Sequence, residues 1–157
     1  MRESFGSMWI IGLVLIFTLL FSSFLAVSIS YSKSFKVKNE VISFIEKNEG
    51  LTDNAVKLIN DYLRNSGYKQ KGVCESEWVG IKEISSGHSS MNVKEIADGK
   101  SKYYYCIKKE NISDGAHPFR AYYKVKLFYK FDLPVVGDMF NFQVDGETSD
   151  IAIPADR

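Results

Sequence analysis

Residues 8–27 read MWIIGLVLIFTLLFSSFLAV, and they lie within a longer stretch, from Ser4 to Ser32, that contains no charged residue. At a rise of about 1.5 Å per residue, a helix of this length spans roughly 30 Å, the thickness of the hydrocarbon core of a bilayer. The sequence therefore predicts a transmembrane helix, and the more polar sequence that follows predicts a soluble domain carried on it.

A cleaved secretory signal is the alternative interpretation of this segment. Signal peptides have apolar regions of about 7–15 residues that end at a small-residue cleavage site. The present segment is longer, and Ser28, Ser30 and Ser32 supply small residues without an Ala-x-Ala pattern. We therefore expect a retained, single-pass membrane anchor.

Length and charge limit the remaining possibilities. The chain has 157 residues, and the part after the apolar segment is long enough for one domain with its own core. Its 20 basic and 19 acidic residues nearly cancel, which argues against nucleic acid as a partner. We expect a membrane segment over residues 1–32 and a soluble α+β domain over residues 33–157, in which residues 33–49 form the amphipathic half of the long helix.

Two signals disagree about the side of the membrane on which the domain lies. The lysines of residues 33–38 favour the cytoplasm by the positive-inside rule. The even cysteine pair, Cys74 and Cys106, is typical of small domains in oxidising compartments. Because the short N-terminal flank is easily retained inside, we expect an extracytoplasmic domain.

The first helix is predicted to continue beyond the membrane, as one helix from about residue 8 to residue 48. No proline or glycine lies between residues 27 and 48. Val41 and Ile45 continue an apolar face at helical spacing, and Gly50 supplies a stop.

A second helix is predicted from Thr52 or Asp53, which are good N-caps, to about Asn65. Apolar and polar residues then alternate, which predicts an antiparallel sheet of about four strands against the amphipathic half of the first helix. The predicted strands lie around Val73, at residues 78–84, 102–108, 120–131 and 140–144, with a weak element at residues 93–96 and a turn at residues 145–146.

This order of elements resembles a pilin, and residues 122–148, YYKVKLFYKFDLPVVGDMFNFQVDGET, resemble the TadE-like minor pilins of Tad-type pilus systems. The positions that match are Tyr129, Phe131, Pro134, Gly137, Phe140 and Phe142. The resemblance implies a structural subunit whose partners are like or related pilin subunits, bound through the N-terminal helix. It does not extend to prepilin processing after Gly6, because the fifth residue after it is Ile11 and not the usual glutamate.

A row of small side chains follows one face of the apolar helix, with Thr18, Ser22, Ala26 and Ser30 each four residues apart. Helices in a bilayer associate by close approach over small residues, so this row is a candidate assembly face. The alternative is that serines are simply tolerated near the ends of a membrane helix.

Cys74 and Cys106 are candidates for a disulfide, with free buried thiols as the alternative. We expect no metal or cofactor site, because the cysteines lack C-x-x-C spacing and neither His88 nor His117 lies in a metal-binding pattern. No G-x-S-x-G surrounds a serine, and no small-molecule substrate is evident. We therefore expect a protein that is not an enzyme.

The polar face of the longest strand carries Tyr122, Lys124, Lys126, Phe128 and Lys130. Aromatic residues among lysines suit an interface with a partner, whereas lysines alone keep a sheet face soluble. The function we expect is that of a minor, pilin-like filament subunit. The alternative is a permanently anchored extracytoplasmic binding module that uses this face or the loop at residues 85–99.

Overall fold

The computed structural model describes residues 2–84, 94–112, 120–133 and 137–152 of the chain. Its architecture is α+β, as predicted, with a long N-terminal helix, a second helix and antiparallel sheets. His88, His117 and Pro134, on which predictions were made, lie outside the described residues.

The first helix, α1, runs without interruption over Arg2–Lys47, which confirms the prediction of one continuous helix. Its end also follows the prediction. Glu49 and Gly50 have positive φ angles of 53° and 130°, and the Gly50 N–H donates a hydrogen bond to the Ile45 carbonyl at 2.9 Å. Glycine adopts such angles at little cost and ends helices for that reason.

The two halves of α1 have different surroundings. Apolar side chains of the first half are exposed, Met8 by 76% and Phe24 by 68%. In the second half Val37, Val41 and Ile45, four residues apart, are at most 5% exposed. This spacing places one stripe of the helix against the rest of the domain.

The second helix, α2, covers Asp53–Asn65, as predicted. The Thr52 hydroxyl accepts a hydrogen bond from the Ala55 N–H at 3.1 Å, which is the expected N-cap interaction. Gly67, with a φ of 73°, follows its end. The apolar face of α2, which includes Ile59 and Leu63, is buried.

The strands form one main sheet and one small ribbon, and all their pairs are antiparallel. They are β1 (Gly72–Val73), β2 (Val79–Ile81), β3 (Lys94–Ile96), β4 (Lys102–Tyr103), β5 (Tyr105–Ile112), β6 (Arg120–Leu133), β7 (Gly137–Glu147) and β8 (Ile151–Ala152). The main sheet has the order β3-β2-β5-β6-β7, and β8 pairs with β6. It has six strands, more than the expected four or so, because the short β3 and β8 extend it. β1 and β4 form the ribbon.

The main sheet separates two apolar clusters. The larger one joins α1 and α2 to one sheet face, through residues such as Val41, Ile59 and Val125. The smaller one consists of Cys74, Trp78, Ala97, Tyr103, Cys106 and Phe128. It joins the β1–β4 ribbon to the other sheet face.

The predicted strand at residues 102–108 is divided at Tyr104, and the rings of Tyr103 and Tyr105 therefore lie in different clusters. The prediction of a turn at residues 145–146 was wrong, because β7 continues to Glu147. A Cβ at Gly146 would lie 2.7 Å from the Ile42 side chain, so this glycine permits the close approach of β7 to α1.

The direction of β6 relates the sheet to the two halves of α1. Tyr123, near the start of β6, packs its hydroxyl against Gly50 beyond the end of α1. Six residues later, the Tyr129 hydroxyl donates to the Ser34 carbonyl at 3.2 Å. β6 therefore runs back along α1 toward its exposed apolar half.

Candidate functional site

In the small-residue row on α1, the hydroxyl groups of Thr18 and Ser22 donate their hydrogen bonds to carbonyls of the same helix. Thr18 Oγ1 donates to the Val14 carbonyl and Ser22 Oγ donates to the Thr18 carbonyl, both at 2.8 Å. A hydroxyl has a single proton, so neither side chain has a donor left for another helix. The row can therefore offer close backbone approach and oxygen acceptors to a neighbouring helix.

The row leads directly to the domain. Ser30 is half-buried, and its carbonyl accepts a hydrogen bond from Ser34 Oγ at 2.8 Å. Ser34 itself is only 2% exposed, and Tyr129 contacts its carbonyl. A second helix that packed along Thr18, Ser22 and Ala26 would meet the domain at Ser30.

The predicted strip on β6 is not one continuous exposed surface. Lys126 is 5% and Phe128 is 9% exposed, so the expectation that both face solvent was wrong. The reason is the β1–β4 ribbon, whose cluster covers this part of the sheet. Strands were predicted around Val73 and at residues 102–108, but not the pairing of Gly72–Val73 with Lys102–Tyr103 into a ribbon over this face, because strands of two residues have no periodic signal.

Burial of Lys126 is compensated by its neighbours. Its ammonium group lies 2.6 Å from Glu75 Oε1 and 4.8 Å from the centre of the Trp78 ring. The hydrogen bond from Lys126, together with its charge, lowers the pKa of Glu75. A buried lysine is tolerated when it is paired and hydrogen-bonded in this way.

The other members of the strip lie in separate environments. Lys124 lies 3.9 Å from Glu110 and 4.0 Å from Glu147. Its hydrogen bond to Tyr122 is the largest cause of a raised pKa at Lys124. Lys130 lines a cleft at the end of the domain nearest the apolar half of α1.

Cys74 and Cys106 form a disulfide, with 5.8 Å between their Cα atoms, as predicted. Cys106 lies on β5 opposite Lys126 of β6, and Cys74 directly follows β1. The disulfide therefore fixes the ribbon segment to the main sheet.

Tyr68 connects several elements through its hydroxyl, a role that no pattern in the sequence indicates. The hydroxyl accepts a hydrogen bond from the Phe128 N–H at 2.8 Å and donates one to the Tyr104 carbonyl at 2.9 Å. Burial raises the pKa of Tyr68. A second buried phenol, Tyr105, donates to Asn60 Oδ1 at 3.0 Å.

The cleft beside Lys130 has a volume of about 330 Å³ and lies between α1, the end of α2 and β6. The residues that matter for its chemistry are Ser30, Lys33, Ser34, Lys69, Tyr129 and Lys130. Three of these are lysines. Among the described residues that line the cleft, no carboxylate is present.

Within the part of the chain that the structure describes, no group of three or more His, Cys, Asp or Glu side chains is placed to hold a metal ion. α1 contains a stretch, starting at Met8, that is long and apolar enough to cross a membrane, and none of its most apolar window is buried in the protein. These observations make α1 and the adjacent cleft the candidate functional surfaces.

Comparison of the chain with protein-family models, curated proteins and solved structures finds no match.

Proposed function

We propose that this protein is a pilin-like structural subunit, held in the membrane by the first half of α1 and assembled with like or related subunits into an extracellular filament. The observation that carries the proposal is the continuity of α1. One helix, Arg2–Lys47, exposes a predominantly apolar half and buries one stripe of its other half against a sheet. The resemblance to TadE-like minor pilins supports the same function.

The physical basis of assembly is the exposed half of α1. Its side chains, including Leu13, Phe17 and Phe24, are more than half exposed. Such a surface is stable only in lipid or against other apolar helices. Since lipid tails give no hydrophobic drive between helices, association inside the membrane depends on close packing over the small-residue row.

We propose that the domain is extracytoplasmic. The Cys74–Cys106 disulfide supports this location, since disulfides persist in oxidising compartments. A thiol-reactive reagent that cannot cross membranes tests it directly. A cysteine introduced at Lys109, an exposed residue, is expected to react in intact cells, and protection until lysis would contradict the proposed side.

Crosslinking within membranes tests assembly. The variant Ser22→Cys/Ala26→Cys presents two thiols on the small-residue row, while the native cysteines are occupied by their disulfide. A short bifunctional maleimide is expected to produce a ladder of dimers, trimers and larger species. Each subunit can then link to two neighbours, as in an open helical assembly.

The matched control is Leu20→Cys/Phe24→Cys, which places two thiols on the opposite side of the same helix. It is expected to give much weaker crosslinking. If the row variant stays monomeric, or if both variants crosslink equally, the row is not an assembly face. A monomer in the membrane would instead favour a permanently anchored binding module.

A further inference from the structure

The direction and length of β6 carry one end of the main sheet beside the apolar half of α1. From the contact of Tyr123 with Gly50 to the contact of Tyr129 with Ser34, β6 advances about 20 Å and the chain from Ser34 to Gly50 advances about 24 Å, so the strand runs nearly along the helix. β6 then continues beyond Tyr129 to Leu133. This extension spans about 13 Å, equal to about nine residues of helix. The end of β6 therefore lies beside the part of α1 that precedes Ser34.

The boundary of the membrane lies within the same part of α1. Trp9 and Tyr31 are exposed by 79% and 51%, and tryptophan and tyrosine prefer the two interfaces of a bilayer. Their separation along a helix is about 33 Å, close to the thickness of the hydrocarbon core. If α1 spans the membrane as proposed, the headgroup layer on the side of the domain begins near Tyr31, and the end of β6 reaches this layer.

The burial of α1 supports this position of the sheet. Val27 is half-buried, whereas Val14, in the same apolar helix, is 55% exposed. Ser23 and Ser30 are also half-buried, and their spacing from Val27 places them on the same side of the helix. Val37, which is buried in the domain, continues this side. The stripe of α1 that packs on the domain therefore extends into the charge-free segment.

The part of the sheet at this level has an apolar sequence. We define the strand end as residues 131–133 of β6 and residues 137–140 of β7, which pair up to Leu133 opposite Gly137. Most of its residues are apolar, namely Phe131, Leu133, Met139 and Phe140. Apolar residues beside a bilayer are stabilised at the boundary between the headgroups and the acyl chains.

Two carboxylates limit the depth of the strand end. Asp132 and Asp138 are its charged residues, and a carboxylate inside the hydrocarbon core is costly. A mixture of apolar and charged residues is typical of segments that lie in the interface and do not cross it. The sequence of the strand end therefore fits the headgroup layer, the same level that the geometry of β6 and α1 indicates.

We propose that the strand end is a second membrane contact of this protein, inserted among the lipid headgroups beside α1. The inference rests on the membrane-spanning part of the proposed function and is independent of filament assembly. Its consequence is that lipid contacts the protein on the sheet side of α1, which fixes the orientation of the domain relative to the bilayer surface.

Fluorescence quenching of the full chain in phosphatidylcholine liposomes tests this contact. An environment-sensitive fluorophore is attached at Leu133→Cys or, on the other strand, at Met139→Cys, while the native cysteines stay in their disulfide. Both labels are expected to be quenched by a lipid nitroxide placed near the headgroup. Aqueous iodide is expected to quench them at least about threefold less than a label in water, because the interface shields them.

The matched control is a label at Asp145→Cys, an exposed position on β7. It lies an even number of residues from Met139, on the same strand, and about 20 Å farther from the membrane. This label is expected to respond to iodide and not to the lipid nitroxide. Equal responses at Met139 and Asp145 to the two quenchers would overturn the proposal.

A label at Phe17→Cys separates failure of this contact from failure of the membrane span. Phe17 lies in the apolar half of α1 and is 66% exposed, so its label is expected to be quenched by a nitroxide near the end of the lipid chain. If it is not, the membrane-spanning part of the proposed function fails, and the strand-end contact fails with it. If the Phe17 label is quenched and both strand-end labels respond only to iodide, the strand-end contact alone is refuted.

Other occupants give distinct results. Strand-end labels that are shielded from both quenchers at a high ratio of protein to lipid, and become accessible to iodide on dilution with lipid, would assign the strand end to contact with a second copy of the chain. Shielding from both quenchers at every ratio would show that the strand end packs only within its own chain. Either result would overturn the assignment to lipid.

Discussion

Tyr68 shows how one hydroxyl can hold several chain segments together. It lies just after α2, is 9% exposed, and bonds the backbone of both Tyr104 and Phe128. Its ring also packs edge-on against Tyr129, 5.5 Å away, and Tyr129 contacts α1. Tyr68 and Tyr129 together therefore connect the end of α2 to α1 and to the backbone at Tyr104 and Phe128.

Replacement of Tyr68 by phenylalanine is expected to lower the free energy of unfolding by about 1–3 kcal/mol, because a buried N–H and a buried carbonyl lose their partner. Denaturant unfolding in detergent micelles measures the change. The matched control is Tyr104→Phe, at a half-buried ring beside the Lys71 ammonium, with an expected change within about 0.5 kcal/mol. Equal effects of both changes would contradict the connecting role of Tyr68.

Lys126 and Glu75 link the buried face of β6 to the segment after Cys74. Because the pKa of Glu75 is lowered in the folded protein, this pair stabilises the fold above the ordinary carboxyl pKa. The contribution is lost as the pH falls through the lowered pKa of the folded state.

Lys126→Met, which keeps an unbranched chain beside Trp78, is expected to return the pKa of Glu75 to its ordinary range. A carboxyl-carbon NMR titration of Glu75 measures this pKa. Lys109→Met, on the adjacent strand, is the control and should leave the titration unchanged. A Glu75 pKa that is the same in the wild type and in Lys126→Met would refute the pair.

At the scale of elements, the predictable parts are those with a periodic or local signal. α1 followed from the absence of proline and from the spacing of Val41 and Ile45, and α2 followed from its N-cap at Thr52. Strands were predicted around Val73 and at residues 102–108, but their pairing as a separate β1–β4 ribbon over the sheet face could not be predicted, because two-residue strands have no period. The burial of Lys126 and Phe128 depends on that ribbon. The face of β6 that carries them has the residue pattern of a solvent-exposed strand face, but the ribbon covers part of it.

The disulfide is a covalent constraint on the ribbon segment. The bonded cysteines are 32 residues apart, and closing a loop of this length contributes on the order of 3–4 kcal/mol in the chain-entropy model. Cys74→Ala/Cys106→Ala is expected to lower the free energy of unfolding by about this amount. A decrease in the free energy of unfolding of less than about 1 kcal/mol would contradict a stabilising link. Wild-type protein with the disulfide reduced is the control for the change of side chains.

At the scale of the whole molecule, α1 has two roles that meet near Ser30. Below that residue the helix exposes apolar side chains, and above it the helix supports the sheet. The small-residue row and the lysine cleft both lie at this junction. The sequence could predict the row, since it lies on one helix, but not the cleft, since Lys33, Lys69 and Lys130 come together only through the fold.

If α1 is one rigid helix through this junction, a residue in its membrane half and a residue in its domain half lie at a single well-defined distance. Spin labels at Ser22 and Lys47, both exposed positions on α1, are introduced as cysteines into the full chain in nanodiscs. A continuous helix predicts a narrow distribution of distances centred at about 37 Å. A broad distribution, or one centred at a clearly shorter distance, would show a break between the membrane segment and the domain and would contradict the account.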